Sequence, residues 1–133
     1  MPVSTSVRHL GELTVGFVLL LEDEPLIALD VEQVLSDAGF QEIRIMSSCA
    51  DAEAWLQQSN PVFAIIDPRL RDGMCDPIAR ILVKRNIPFI VYSGDVITVA
   101  DQEPAFAAGV WLSKPSPPTD LIEAIETAVL GRV

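Results

Sequence analysis

Positively charged residues are scarce in this chain, and so are long apolar runs. Its 133 residues include nine lysines and arginines against nineteen aspartates and glutamates, which gives a formal net charge of −10. Nucleic acids and anionic membrane surfaces are bound through clustered positive charge, so this composition argues against both as partners. The longest apolar run covers residues 15–21, whereas a membrane-spanning helix needs about 20 residues. No signal-peptide pattern precedes that run, and we therefore expect a cytoplasmic protein.

Cysteine and histidine are also rare, and glycine-rich ligand loops are missing. The two cysteines, Cys49 and Cys75, lack metal-type spacing, and we expect free thiols, with a disulfide as the alternative. His9 is the only histidine, and we interpret it as a bystander in a polar segment. The chain has neither a Walker loop nor a nucleophile elbow. Acids follow the first apolar run where a flavodoxin would carry a hydroxyl- and glycine-rich loop, which argues against a flavin carrier.

Apolar segments of two kinds alternate along the rest of the chain. Residues 1–14 are polar and aperiodic, and we expect a flexible arm there, followed by one domain over residues 15–133. Apolar runs, typical of parallel strands buried on both faces, predict β-strands at residues 15–21, 63–67, 88–92 and 110–113, and we expect a shorter strand at residues 42–46. Apolar residues at helical spacing predict helices at residues 25–38, 49–57 and 119–130, and a further helix near residue 76.

Local signals mark where the helices begin and end. Gly39 is placed to end the first helix, and Ser48 is placed to cap the second. Asp76 is placed to cap the third, with Pro77 in its first turn. Pro104 interrupts the segment before the last strand, so we expect a shortened or irregular fourth helix that begins there. Strands that alternate with helices in this way predict a flavodoxin-like three-layer α/β/α fold, with five parallel strands in the order 2-1-3-4-5.

Five polar residues end or follow predicted strands, and parallel strands bring their carboxyl ends to one edge of the sheet. They are Glu22 and Asp23 after the first strand, Asp67 at the end of the third, Ser93 after the fourth and Lys114 after the fifth. Three carboxylates raise one another's pKa unless a cation lies between them, and such oxygen ligands suit Mg²⁺. Two structural explanations stay open. Glu22 and Asp23 can form a solvated acidic turn before a helix, and Asp67 can form an ion pair with Lys114 that needs no catalysis.

These residues stand in four motifs that together resemble the receiver domain of two-component response regulators. "VLLLEDEP" resembles that family's first strand with its acidic pair, "AIID" its phosphoacceptor strand, "VYSG" its hydroxyl-bearing strand and "WLSKP" its lysine strand. The order and spacing of the motifs resemble the family from about residue 15 to residue 130. The resemblance implies that Asp67 accepts a phosphoryl group from a histidine kinase or a histidine phosphotransfer protein.

The resemblance also implies a metal site. Asp23, Asp67 and the main-chain carbonyl of Arg69 would hold Mg²⁺, with Mn²⁺ as an alternative metal, and Glu22 would act through a bound water. Because a carboxylate is a weak nucleophile, phosphoryl transfer relies on positioning and on charge neutralisation, which a bound cation supplies.

Lys114, Ser93 and Trp111 receive roles from the same resemblance. Lys114 would supply a mobile charge to the phosphoryl oxygens, and Ser93 would donate a hydrogen bond to them. Ser93 and Trp111 would act as the switch pair that changes the outer face of the domain, although an ordinary packed tryptophan explains Trp111 equally well. The family also implies a cis peptide between Lys114 and Pro115.

The segment after Asp67 departs from the family pattern. The family carries a proline a few residues after the phosphoacceptor, whereas Pro68 follows Asp67 directly in "DPRLRDGMCDP". We hypothesise that Arg69 pairs with Asp95 across the mouth of the site and limits the access of water to an acyl phosphate. Two independent solvated charges are the alternative. The irregular segment at Pro104 lies on the face that most receivers use for signalling, so the usual dimer geometry is not assumed.

Two functional hypotheses follow. The first is a stand-alone receiver that is not an enzyme on other substrates. It would act through contacts with an unidentified downstream protein, as a signal transmitter or as a phosphate sink, as a monomer or a homodimer. The second is a pseudo-receiver, which binds partners without phosphorylation. The complete set of site residues favours the first hypothesis, and the altered segment after Asp67, together with Trp111, keeps the second open.

Overall fold

Five parallel β-strands form the central sheet of the computed structural model, which describes residues 15–94 and 104–131. In chain order the elements are β1 (Phe17–Leu21), α1 (Pro25–Asp37), β2 (Glu42–Met46), α2 (Cys49–Leu56), β3 (Phe63–Ile66), β4 (Arg69–Leu70), β5 (Gly73–Met74), α3 (Asp76–Lys84), β6 (Phe89–Ser93), a 3₁₀ helix (Pro104–Ala108), β7 (Val110–Ser113) and α4 (Pro118–Leu130). The order of the sheet is β2-β1-β3-β6-β7, and every neighbouring pair is parallel. The predicted flavodoxin-like order 2-1-3-4-5 is confirmed. Strands β4 and β5 form a separate antiparallel hairpin that the sequence did not predict.

The central strand β1 is buried on both faces, as its continuous apolar run predicts. Leu19 and Leu21 pack on the side of the sheet that is covered by α2, α3 and the 3₁₀ helix. Val18 and Leu20 pack on the opposite side, against α1 and α4. Burying each such side chain contributes about 1.5–3 kcal/mol. Since both sides of β1 pack against apolar side chains, polar groups can lie only beyond the end of this strand.

The first helix ends as predicted at Gly39. This glycine has a φ of +104°, which is a backbone conformation that residues with a side chain rarely adopt. The Gly39 amide donates to the Ser36 carbonyl and the Phe40 amide donates to the Leu35 carbonyl, both at 3.0 Å. These two bonds satisfy carbonyls that the helix end would leave unpaired. They also turn Phe40 into the core, where it packs edge-on against Phe63.

The start of the second helix follows the prediction, whereas the start of the third differs by one residue. The Ser48 hydroxyl accepts a hydrogen bond from the Asp51 amide at 3.1 Å and caps α2. Asp76 was expected to cap α3, but Cys75 occupies that position and Asp76 is the first helical residue. The Asp76 carboxylate instead pairs with Arg80 one turn later, at 2.6 Å, which is a favourable spacing on a helix.

The expectation of free thiols is wrong. Cys49 and Cys75 are joined in a disulfide, with their Cα atoms 5.4 Å apart. They are separated by 26 positions in the sequence, and spacing along the chain carries no information about that approach. The fold brings them together because α2 begins beside the hairpin that follows β3.

Three further predictions have different outcomes. The segment before β7 is irregular as expected, with a 3₁₀ helix that begins at Pro104. The arm over residues 1–14, which includes His9, and the pairing partner Asp95 lie outside the described residues, so these interpretations stay predictions. None of the helices within residues 15–94 and 104–131 is long and apolar enough to span a membrane.

Candidate functional site

The carboxyl ends of three strands bring acidic and basic side chains together. Glu22 follows β1, Asp67 follows β3 and Lys114 follows β7. Main-chain bonds extend the strand pairing to the site, because the Asp67 amide donates to the Leu21 carbonyl at 2.9 Å. The Lys114 amide donates to the Ser93 carbonyl at 3.0 Å. The parallel sheet therefore fixes the backbone from which each of these side chains projects.

Lys114 lies between two of the carboxylates. Its Nζ is 2.6 Å from Glu22 Oε1 and 2.8 Å from Asp67 Oδ2. The same ammonium group lies 5.6 Å from the centre of the Tyr92 ring, within the range of a cation–π contact. The peptide bond between Lys114 and Pro115 is cis, as the receiver resemblance implied. The lysine thus bridges two strand ends with its charge largely shielded from water.

Glu22 is the most buried acid of the site, with a side chain that is only 2% exposed. Burial raises the pKa of Glu22, and the hydrogen bond and charge of Lys114 offset that effect only in part. One oxygen also accepts a hydrogen bond from the Glu24 amide at 3.2 Å. Burial works in the opposite direction on Lys114, but its hydrogen bonds to Asp67 and Glu22 outweigh burial and raise the pKa of the ammonium group. The lysine is therefore charged at neutral pH.

Glu22, Asp23 and Asp67 offer carboxylate oxygens that all lie within 4.8 Å of one another. Three oxygen donors at this separation fit a hard divalent cation such as Mg²⁺. Asp67 Oδ1 accepts a hydrogen bond from the Arg69 amide at 3.0 Å, so each Asp67 oxygen already has one protein partner. The role of the Arg69 carbonyl as a metal ligand stays a prediction.

Ser93 and Trp111 lie on the neighbouring strands β6 and β7. Ser93 is buried at the end of β6, with 4% of its surface exposed. Trp111 is half-buried, and its indole Nε1 donates to the Phe106 carbonyl at 3.0 Å. The indole also packs edge-on against the Phe106 ring, with centroids 6.5 Å apart. Trp111 therefore joins β7 to the 3₁₀ helix, and its role as a switch stays a prediction.

The sequence interpretation missed Asp72, which lies at the tip of the β4–β5 hairpin. Its two carboxylate oxygens accept hydrogen bonds from the Cys49 amide at 2.9 Å and the Ala50 amide at 3.0 Å. Those two amides hold the pKa of Asp72 below its usual range. The dipeptide of Asp72 and Gly73 is a known turn signal and could have predicted the hairpin. Nothing in the sequence indicates that the Asp72 carboxylate reaches a helix more than twenty residues earlier.

Comparison with known proteins finds regulatory proteins of larger size. No protein-family model matches the chain. It is 32% identical over 118 residues to the transcriptional regulatory protein PdtaR of Mycobacterium tuberculosis, a match that covers 84% of this chain and 56% of PdtaR. It is 29% identical over 133 residues to the phyllosphere-induced regulator PhyR of Methylorubrum extorquens, covering 96% of this chain and 48% of PhyR. The chain thus spans about half the length of the curated relatives it matches.

Solved structures of receiver proteins share the fold. A response regulator receiver protein from Sinorhizobium medicae has a TM-score of 0.74 and 27% identity, over 89% of this chain and 97% of that one. The anti-anti-sigma factor PhyR from Bartonella quintana has a TM-score of 0.74 and 25% identity, over 98% of this chain and 54% of that one. The receiver domain of the sensor histidine kinase PA1611 from Pseudomonas aeruginosa, with magnesium in its active-site cleft, has a TM-score of 0.73 over 86% and 97% of the two chains. At 18% identity, this last likeness concerns the fold alone.

Proposed function

We propose that this chain, which belongs to the receiver-domain family of response regulators, accepts a phosphoryl group on Asp67 and signals through contacts with a partner protein. The position of Asp67 carries the proposal. Its carboxylate lies at the end of a buried strand, with Oδ2 on the Lys114 ammonium and Oδ1 on the Arg69 amide. Two more carboxylates lie within metal-binding distance. The Asp67 carboxylate, the Lys114 ammonium group and a set of carboxylates that could hold a metal ion thus lie together at one edge of the sheet.

Mg²⁺ is the metal that this set of ligands fits best, with Mn²⁺ as an alternative. Asp23 and Asp67 would hold it directly, together with the Arg69 carbonyl, and Glu22 would contribute through a water. When bound, Mg²⁺ neutralises charge on the oxygens of a phosphoryl group and so favours its transfer. The three carboxylates repel one another, which makes the addition of a cation favourable at this edge of the sheet.

Asp67 would be the one residue of the protein that forms a covalent bond in the proposed reaction. An oxygen of Asp67 would attack the phosphorus of a phosphohistidine on a donor protein. The new P–O bond forms as the P–N bond breaks, and the imidazole leaves with the bonding electrons and takes up a proton. Since phosphoryl transfer depends mainly on position and electrostatics, the backbone bonds that hold Asp67 and Lys114 matter as much as the side chains.

Lys114 and Ser93 would stabilise the product. Phosphorylation of Asp67 places new negative oxygens near the lysine, which already holds Glu22 at 2.6 Å. Lys114 can therefore keep one carboxylate partner while it turns to the phosphoryl group. Ser93, buried at the neighbouring strand end, would donate a hydrogen bond and move toward the same group. The fluorescence of Trp111 would report that movement, because Trp111 on β7 lies opposite Val91 of β6.

The role of the protein would be signalling rather than catalysis on other substrates, and we place it in the cytoplasm. The donor would be a histidine kinase or a histidine phosphotransfer protein. The target would be a protein, in keeping with the anti-anti-sigma activity named for the PhyR of Bartonella quintana. Transmission of a signal and removal of phosphoryl groups from a shared kinase are both consistent with the site.

The test is phosphorylation by a small phosphodonor. Incubation with acetyl phosphate and Mg²⁺ should add the mass of one phosphoryl group, and peptide mapping should place it on Asp67. Asp67→Asn should abolish the modification. Asp30→Asn, which changes an exposed acid on α1, is the matched control and should leave it intact. Labelling that persists in Asp67→Asn would refute the assignment.

A second candidate is a pseudo-receiver that binds partners without phosphorylation. The observation in its favour is that Lys114 already pairs with both Glu22 and Asp67, so two of the three carboxylates have a cationic partner without a bound metal. Beryllium fluoride with Mg²⁺ separates the two functions, since this phosphoryl mimic should change the fluorescence of Trp111 only in a working receiver. A Trp55→Phe background removes the other tryptophan signal. No response, together with no labelling of Asp67, would favour the pseudo-receiver.

A further inference from the structure

We propose that Cys49 and Cys75 form a reversible dithiol–disulfide couple whose oxidised form fixes the hairpin segment, residues 68–75, against α2. The disulfide joins the first residue of α2 to the residue that caps α3. These are the only two cysteines of the sequence, so oxidation within one chain has a single product. The part of the proposal that concerns Mg²⁺ and phosphoryl transfer rests on the proposed function of Asp67.

The hairpin segment is connected directly to the candidate phosphoacceptor. The Cys75 amide donates to the Pro68 carbonyl at 2.8 Å and closes the base of the hairpin segment. At the same end, the Arg69 amide donates to Asp67 Oδ1 at 3.0 Å. A displacement of Cys75 therefore reaches the Asp67 carboxylate through two hydrogen bonds and one residue of backbone.

A second attachment keeps the hairpin segment near α2 when the disulfide opens. Asp72 accepts hydrogen bonds from the Cys49 and Ala50 amides. In addition, Cys49 Sγ lies 3.6 Å from the Gly73 carbonyl oxygen, close enough for a reduced thiol to donate a weak hydrogen bond. Reduction would thus loosen the hairpin segment without releasing it. The couple would adjust the site rather than unfold it.

The two sulfur atoms differ in their access to solvent, and this difference determines which of them an external thiolate attacks. Cys75 is fully buried, whereas Cys49 is half-buried. An external thiolate would therefore attack Cys49 Sγ, breaking the bond to Cys75, which leaves with the electron pair and is protonated. A second external thiol then attacks the outer sulfur of the mixed disulfide and releases Cys49 as a thiol. The sum converts one protein disulfide and two external thiols into two protein thiols and one external disulfide. Oxidised glutathione reverses the reaction.

The proposed cytoplasmic location gives such a couple a use. Disulfides in reducing compartments are usually transient and serve catalysis or redox sensing. In such a compartment a disulfide is reduced unless it is resistant to attack by cellular thiols. A pair with one accessible sulfur would instead follow the balance of reduced and oxidised thiols, and would report that balance to the segment beside Asp67.

The first experiment measures the couple and the hairpin segment without reference to activity. The wild-type chain is equilibrated with mixtures of reduced and oxidised glutathione, quenched with acid and alkylated, and the oxidised fraction is read by intact mass. Hydrogen exchange is then measured on the two forms. We expect interconversion in the folded protein, with faster exchange of the residue 68–75 amides after reduction and unchanged exchange in β1. Cys49→Ser should behave as the reduced form in every mixture.

The second experiment connects the couple to the site. In a Trp55→Phe background, Mg²⁺ is titrated against the fluorescence of Trp111 in the oxidised and reduced forms. Because the disulfide pre-organises the segment that carries Arg69, reduction should weaken Mg²⁺ binding by about 5-fold or more, the lower end of typical coupling between sites.

Each outcome decides one part of the proposal. A disulfide that excess reduced glutathione cannot open in the folded protein, or thiols that oxidised glutathione cannot join, would overturn the redox couple. Equal hydrogen exchange in the two forms would overturn the fixing of the hairpin segment. Equal Mg²⁺ affinity would overturn the connection to the site and leave the proposed function intact. Mg²⁺ binding to neither form would count against the proposed function, while the glutathione equilibration would still decide the redox couple and hydrogen exchange the fixing of the hairpin segment.

Discussion

Replacement of Lys114 by methionine should destabilise the fold by an amount that depends on pH. The substitution keeps an unbranched side chain but removes the ammonium group that lies 2.6 Å from Glu22 and 2.8 Å from Asp67. Charge-assisted hydrogen bonds contribute about 1.5–3 kcal/mol each, and removing one partner of a buried ion pair costs about 3–5 kcal/mol. Because the lysine side chain is 14% exposed and Glu22 can take up a proton, we expect a loss near the lower limit, about 3 kcal/mol at pH 8.

The sign of the pH dependence follows from Glu22. Its pKa is already raised by burial with Lys114 present, and loss of the lysine raises it further. A carboxyl group whose pKa is higher in the folded state than in the unfolded state stabilises folding when protonated, and that stability is lost as pH rises through the folded pKa. The deficit of Lys114→Met should therefore shrink as pH falls from about 8 toward 5. Lys114 also has a raised pKa, so its contribution to the wild-type chain should disappear only above about pH 10.

Urea unfolding followed by circular dichroism measures both effects, with the free energy of unfolding taken from the midpoint and slope at each pH. Lys84→Met is the matched control, because Lys84 is exposed in the last turn of α3 and should cost no more than about 0.5 kcal/mol. A deficit below about 1 kcal/mol at pH 8, or one that is the same at every pH, would refute the electrostatic account of the site.

Three other substitutions or treatments test the packing around the sheet. Gly109→Ala should lower the free energy of unfolding by about 1–3 kcal/mol, because an added Cβ would lie 2.5 Å from a Phe89 ring carbon. Gly94→Ala is the control, because a Cβ there meets nothing within 4 Å. Equal melting temperatures for the two variants would contradict this prediction. Arg85→Ala should cost about 1–2 kcal/mol in urea unfolding, since the guanidinium donates to the Leu56 carbonyl at 2.7 Å and closes the end of α2; an unchanged midpoint would disprove the role. Reduction of the disulfide should lower the free energy of unfolding by about 3.5 kcal/mol, as expected for a sequence separation of 26. A loss well under about 1 kcal/mol would contradict this expectation.

The fold could be predicted from the sequence because its signals are local. Apolar runs set the strands, and the residues at their ends fall at one edge once the strands are parallel. That is why Glu22, Asp67 and Lys114 could be proposed together before their contacts were known. Capping residues and proline likewise predicted the end of α1, the start of α2 and the start of the 3₁₀ helix at Pro104.

Apart from the turn signal of Asp72 and Gly73, the short strands of the hairpin and its attachments could not be predicted, for physical reasons. Strands β4 and β5 have two residues each, too few to show an alternating pattern. The contacts of Asp72 and Cys75 with the start of α2 join segments that are distant along the chain. Their energy comes from the approach of the two segments in space, and neither the residue types nor their spacing reveals it. The N-cap of α3 was predicted one residue too late, at Asp76, because the residue in that position is Cys75, which is an unusual cap.

The hairpin is attached to α2 twice, through the Asp72 carboxylate and through the disulfide. These two attachments restrict which insertions, deletions and substitutions the sequence can accept. Between Asp67 and α3 the chain must place a carboxylate on the first two amides of α2 and a sulfur atom beside Cys49. An insertion or deletion between Asp72 and Cys75 would break one attachment to keep the other, and one between Asp67 and Asp72 would shift both attachments relative to Asp67. Descendants of this sequence should therefore keep the length of residues 68–75 unchanged, and should lose or retain Cys49 and Cys75 as a pair.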